Sequence, residues 1–170
     1  EFTTYEGYLL LKKEYKHLKE IPSPILEMRS IKDPSELTLI EESARLLNQA
    51  YYHIRKKLKV GVTEEEVAKE FYRYAYKIAE GPSFEPIIAF GKNGSMPHYR
   101  SGKTALKENR MVLLDLGIKY QGYCSDMTRM VSFGTIPKKI EEALSLVEKA
   151  KKAAEKAACP GMTMKDLQLI

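Results

Sequence analysis

Two cysteines, three histidines and no tryptophan occur in this chain, and no apolar run approaches the roughly 18 residues that a membrane-spanning helix needs. Cys124 and Cys159 form no C-x-x-C pair, which argues against a zinc ribbon or a thiol redox motif, and both read as reduced. A basic-then-apolar leader is missing from the first residues, so the expectation is a cytoplasmic protein with no membrane contact. No Met opens the chain, and Glu1-Phe2 reads as an expression scar or an internal cut. No internal repeat is visible, and no segment is disordered by composition.

What is present fits one domain of ordinary size: 170 residues, 44% hydrophobic and 30% charged. The net charge of +5 raises a nucleic-acid reading. Lys and Arg are spread through every segment, however, and the densest cluster, Arg55-Lys56-Lys57-Leu58-Lys59, sits where a helix closes and cations complement its dipole. No aromatics interleave with that run as a single-strand platform requires, so no nucleic-acid partner is expected.

Residues 1–20 read as helical from about Tyr5, and Ile21-Pro22-Ser23-Pro24 breaks the pattern, so 1–28 is the tail of a preceding domain plus a linker. Asp33-Pro34-Ser35-Glu36 starts a helix with an acid at the cap, Pro at the first turn and Glu three residues on. Leu37, Ile40, Ala44, Leu47, Tyr51, Ile54 and Leu58 then recur at helical spacing as one buried face. Gly61 ends this helix; Thr63 and Glu66 form a capping box for the next, whose core face is Val67, Phe71, Ala75 and Ile78. Ile87 to Phe90 is a short strand, and Gly91 to Gly102 is a loop holding His98. After a hairpin comes an amphipathic helix over 137–158, and Thr163 starts another. His17 and His53, on helices among cations, carry no chemistry, and Ser101-Gly102-Lys103-Thr104 only mimics a phosphate loop, because Pro97 stands where its first Gly belongs.

The spacing of Asp115 and Asp126 is the strongest chemical signal. Met111 to Leu116 is apolar and strand-forming apart from the Asp, and Gln121-Gly122 supplies a turn with Gly where φ must be positive. In a hairpin with an even-length loop, positions an odd number apart share a face. A loop at Tyr120-Gln121 would set the two acids directly opposite, and a loop at Gln121-Gly122 would make them diagonal neighbours. Two like charges so close call for a cation or a proton. Divalent ions such as Mn²⁺ accept carboxylate oxygens, and a pair of them roughly 3.5–4 Å apart can activate a shared water. On spacing alone, two solvated acids on a hairpin edge are an equal alternative. Cys124, two positions from Asp126, would line the same wall without ligating if the strand is regular.

The flanking residues decide between these. Leu113-Leu114-Asp115-Leu116-Gly117, Tyr120-Gln121-Gly122-Tyr123-Cys124-Ser125-Asp126-Met127-Thr128-Arg129 and Gly91-Lys92-Asn93-Gly94-Ser95-Met96-Pro97-His98-Tyr99 together resemble the Xaa-Pro aminopeptidase and prolidase branch of the pita-bread metallopeptidases. Arg29-Ser30-Ile31-Lys32-Asp33-Pro34-Ser35-Glu36 is similar to that family's domain junction, and Gly61-Val62-Thr63-Glu64 to its helix-to-helix turn. The resemblance implies an α+β chain: the first half of a pita-bread (creatinase/aminopeptidase) fold, an antiparallel sheet with helices on one face. Residues 29–170 would be an incomplete catalytic domain.

The same resemblance implies two divalent metal ions, Mn first with Co or Zn as alternatives. Asp115 and Asp126 would be two of five ligands, and Asp126 the bridge. His98 would lie beside the substrate, steadying the scissile carbonyl or passing a proton. Thr128 and Arg129 would stand around the site, with Arg129 either pairing with an acid or remaining a strand-face cation. The family's other ligands, one His and two Glu, have no counterpart after Arg129, so this chain alone is expected to bind Mn²⁺ weakly and not to cut peptides. The implied activity is removal of an N-terminal residue that precedes proline, by a homodimer at full length acting on peptides with proline second. Prolidase, which cuts dipeptides, is the alternative, and a pita-bread binding module without metals a further one.

Overall fold

Phe71, Ile54, Ile88, Leu114 and Leu116 are sealed from solvent at the centre of a single apolar cluster, and the elements that bring them there also fix the site. The structure is a computed structural model that describes residues 3–15, 17–18 and 21–170. The chain divides into two compact units, Glu1–Leu37 and Thr38–Ile170.

The first unit holds helix α1 (Tyr5–Glu14), capped by Thr4, and helix α2 (Pro24–Ser30). The expected N-terminal helix is therefore present from Tyr5 but ends at Glu14, where Tyr15 turns extended, short of the expected end near residue 20; Lys16, Lys19 and Glu20 lie outside the described residues. The Pro-rich break is itself a helix start. Ser23 Oγ accepts from the Leu26 N–H at 3.4 Å and Pro24 fills the first helical position, where its missing N–H is no loss.

Helix α3 runs Pro34–Arg55 and helix α4 Glu64–Ile78. Both caps are as expected: Asp33 N donates to Glu36 Oε2 at 2.8 Å while Glu36 N donates to Asp33 Oδ1 at 2.9 Å, and Thr63 and Glu66 form a complete capping box. The buried arc of α3 departs from the expected one. It passes through Ser43, Leu46, Leu47, Ala50 and Ile54, whereas Ala44 and Leu37 are exposed. Ser43 hides the arc from a hydrophobicity reading. Its hydroxyl donates to the Ile118 carbonyl at 2.9 Å, which lets a polar side chain sit fully buried. On α4, Val67, Phe71 and Ala75 are buried as expected and Ile78 packs at the margin.

Six short strands follow in place of three: β1 (Gly81–Pro82), β2 (Ile87–Phe90), β3 (Arg110–Leu116), β4 (Ile118–Tyr120), β5 (Tyr123–Cys124) and β6 (Met127–Phe133). They form two antiparallel sheets, ordered β1-β4-β5 and β2-β3-β6. The predicted hairpin is real, its turn at Gln121-Gly122 with φ of 45° and 83°, the two positive values that a tight primed turn requires. One register runs through both sheets, from Tyr120↔Tyr123 to Arg110↔Phe133, but the arms are cut at Gly117 and at Ser125-Asp126, where the chain passes from one sheet to the other.

Val112, Leu114 and Leu116 face one way from β3 and join the core residues of α3 and α4. Asp115 faces the other way, away from the helices. This is the expected α+β arrangement of antiparallel sheet and helices. Helix α5 (Lys138–Ala157) and helix α6 (Met164–Gln168) complete the chain, and α5 has no buried residue although its sequence is amphipathic. Among the described residues, no helix is long and apolar enough to cross a membrane.

Candidate active site

Because the hairpin turns at Gln121-Gly122, Asp115 is paired with Thr128 and Asp126 falls opposite Gly117, so the two acids are diagonal neighbours across the ladder. Asp115 is half-buried and Asp126 exposed. Thr128 Oγ1 donates to Asp115 Oδ1 at 2.7 Å, which fixes that carboxylate and leaves Oδ2 outside this bond.

Asp115, Asp126 and His98 line one cleft of about 500 Å³. Phe84 and Ile87 give it an apolar wall, and Tyr99 and Arg100 stand beside His98. His98 itself is exposed, with φ of 56°. A non-glycine residue in the left-handed region costs about 1–2 kcal/mol, so neighbouring structure must hold it there. A second cleft, of about 620 Å³, lies at the far end of β3 around Arg110 and Met111; among the described residues no His, Asp or Glu lines it, so it offers a metal no carboxylate or imidazole.

Close packing shapes the Asp126 side. Gly117 interrupts the hairpin arm where a Cβ would lie 2.0 Å from Ser83 Oγ, 2.4 Å from Phe84 Cε1 and 2.6 Å from the Ser125 carbonyl oxygen. Only glycine admits the 83–84 segment this near, and that approach sets Phe84 into the cleft wall. Ser125 Oγ donates to the Ser43 carbonyl at 3.1 Å, and Ser83 Oγ donates to the Ser125 carbonyl at 2.9 Å. The residue before Asp126 is thereby tied to α3 and to the 83–84 segment.

Sequence reasoning singled out none of Ser43, Ser83, Gly117, Ser125, Glu64 or Asn93 for the site. Their roles rest on contacts far apart in sequence, and the one local sign was a Gly inside a strand pattern. Cys124 is exposed and is not among the cleft residues, because the ladder stops at Cys124 and strand alternation does not carry through to Asp126. Arg129 is paired with Leu114, so it leaves the sheet on the face opposite Asp115; Arg129 Nη1 donates to the Thr128 carbonyl at 2.8 Å.

As a donor set, the two Asp offer hard oxygens on one face, which suits a divalent cation but fills only part of its shell. Among the described residues, no group of three or more His, Cys, Asp or Glu side chains could hold a metal. The carboxylates therefore fit a metal centre as part of a ligand set.

The sequence profile of metallopeptidase family M24 matches residues 38–170, and the chain belongs to that family. The chain is 39% identical over 150 residues to an uncharacterized peptidase of Staphylococcus saprophyticus, covering 87% of this chain and 43% of that protein. The crystal structure of the prolidase from Pyrococcus horikoshii superimposes with a TM-score of 0.89 at 32% identity, over 96% of this chain and 48% of that one. An X-Pro aminopeptidase from Thermotoga maritima superimposes with a TM-score of 0.84 at 27% identity, over 97% and 48%. The chain thus spans less than half the length of these relatives, and its fold is the N-terminal half of the pita-bread fold. The family is one of peptidases that use divalent metal ions.

Proposed function

We propose that the complete protein is an Xaa-Pro peptidase, hydrolysing the bond between a residue and the proline after it, and that dipeptides are its substrates, as for a prolidase. One observation carries this reading: His98, Asp115 and Asp126, from a loop and two arms of a hairpin, line the same cleft. The sequence reading put Xaa-Pro aminopeptidase first. Similarity to the prolidase of Pyrococcus horikoshii, at higher identity and TM-score than to the aminopeptidase of Thermotoga maritima, favours the dipeptidase.

Asp115 and Asp126 would hold the metal ions, with ligands from elsewhere in the protein. Divalent ions there, with Mn first and Co or Zn as alternatives, supply Lewis acidity and lower the pKa of water. Thr128 keeps Asp115 oriented by bonding one oxygen. His98 would donate a hydrogen bond to the scissile carbonyl or pass a proton to the departing nitrogen. Phe84 and Ile87 give the proline ring an apolar surface to lie on.

The test is to offer the full-length protein, with Mn²⁺, an Xaa-Pro dipeptide and an Xaa-Pro-Xaa tripeptide. Metal-dependent cleavage of the dipeptide alone is expected. Release of the first residue from the tripeptide would make the protein an aminopeptidase, and cleavage of neither by folded, metal-loaded protein would point to a binding module.

A further inference from the structure

Glu64 is a carboxylate with no exposed surface, and hydrogen bonding accounts for its burial. Oε1 accepts from the Phe90 N–H at 2.8 Å and from Asn93 Nδ2 at 2.9 Å; Oε2 accepts from the Tyr99 hydroxyl at 2.7 Å and from the Gly102 N–H at 3.1 Å. All four partners donate, so both oxygens are satisfied without water. Asn93 Nδ2 also lies 2.8 Å from Tyr99 Oη and 3.0 Å from Thr104 Oγ1, and its second hydrogen is shared between them as a cross-link. Burial, and next the bond to Glu64, push the Tyr99 phenol above its usual range.

These bonds tie three parts of one loop to the first turn of α4. Phe90 ends β2, Asn93 lies in the 3₁₀ turn Gly91–Ser95 that follows, and Tyr99 and Gly102 lie on the return path. Backbone bonds reinforce the return, with Glu64 N donating to the Thr104 carbonyl and Glu65 N to the Gly102 carbonyl. On the β2 side, Ser101 Oγ accepts from the Ile88 N–H at 2.8 Å. Of the three loop residues that line the cleft, Tyr99 is itself one of these anchors, and His98, at φ of 56°, and Arg100 flank it. The next residue, Tyr99, is tied to Glu64, and that bond limits where His98 can stand.

We propose that Glu64 is a positioning residue for the cleft: its buried carboxylate fixes the loop that carries His98, Tyr99 and Arg100 against the face bearing Asp115 and Asp126. This rests on the reading of that cleft as the metal and substrate site. Glu64 lies on a helix and touches neither carboxylate, so its influence on the site runs through the loop alone. Glu64→Gln keeps the size but turns one oxygen into a donor that must face a backbone N–H, either Phe90 N or Gly102 N, neither of which can accept.

The test is paramagnetic broadening of backbone amides by Mn²⁺ in the 170-residue chain. In the parent chain, Mn²⁺ is expected to broaden Asp115, Asp126, Tyr99 and Arg100 together. In Glu64→Gln, broadening at Asp115 and Asp126 should persist at the same Mn²⁺ concentrations, while that at Tyr99 and Arg100 falls several-fold, with Leu47 and Ala50 reporting an intact core. Unchanged loop broadening would overturn the proposal. If Glu64→Gln does not fold, Tyr99→Phe, which removes only the hydroxyl, carries the same two outcomes. Absence of broadening at Asp115 and Asp126 in the parent chain would show that these two carboxylates alone do not hold Mn²⁺. Amide relaxation at His98 without metal then decides the positioning claim: order in the parent and motion in the variant support it, and equal order overturns it.

Discussion

Thr128 and Asp115 face each other across the β3–β6 ladder, and the 2.7 Å bond from Thr128 Oγ1 to Asp115 Oδ1 holds the half-buried member of the acid pair. Partners that orient a ligand in this way typically change metal affinity by about 10–100-fold when removed. Thr128→Val, which keeps the branched shape without the hydroxyl, should weaken Mn²⁺ binding within that range in calorimetric titration. Thr128→Ser should retain the parent affinity; equal affinities in all three would detach Thr128 from the site.

Asp126 leads to a different expectation. It is exposed, so removing its charge should change metal-free stability by no more than about 0.5 kcal/mol. A ligand that binds only the folded state raises the melting temperature. Asp126→Asn should therefore melt with the parent chain in the absence of Mn²⁺ and fail to gain the parent's increment when Mn²⁺ is added. An equal increment in both would remove Asp126 from the metal-binding set.

Gly117 is the packing residue of the site. With Ser83 Oγ 2.0 Å from the position a Cβ would take, Gly117→Ala must push the 83–84 segment or the Ser125 carbonyl aside. Overpacking of this kind costs about 1–3 kcal/mol, readable as a lower denaturant midpoint. Adding Ser83→Ala should recover part of the loss, and a wholly additive double variant would show that the clash lies elsewhere.

Much of this was legible in the sequence because it is local. The capping acids at Asp33 and Glu36, the box at Thr63 and Glu66, and the Gln121-Gly122 turn each follow from spacings of a few residues, and the turn alone fixes the diagonal placement of the acids. What stayed hidden depends on partners distant in the chain. Ser43 reads as a polar interruption in α3 until the Ile118 carbonyl is seen beneath it, 75 positions away. Glu64 reads as one of three acids in a first helical turn, and only the folded loop shows that it is buried. Cys124 lies outside the cleft because the strand is not regular between it and Asp126, the condition on which its expected place depended.

His53, assigned no chemistry from the sequence, joins a cluster around Glu70 that binds α3 to α4. Its ring stacks on Tyr74 with centroids 4.0 Å apart, and Nε2 lies 2.5 Å from Glu70 Oε1. Glu70 is also bonded by Arg73 Nε at 2.8 Å and Nη2 at 2.7 Å. The Arg73 bonds are the largest influence on the Glu70 carboxyl; burial opposes them, His53 and Lys57 add to them, and the net result holds it at about 2, against an ordinary 4.5. A carboxyl depressed by folding contributes stability that is fully present above its unfolded value and disappears as the pH falls through its folded value. The contribution should thus be intact at neutral pH and be lost from about pH 4.5 downward to about pH 2. Urea unfolding of the parent chain and of Glu70→Gln at about pH 6 and about pH 3 reads this directly. The parent should lose more stability between the two pH values than the variant, because the remaining carboxylates are common to both. Equal losses would show that Glu70 is no more favourably placed in the folded chain than in the unfolded one.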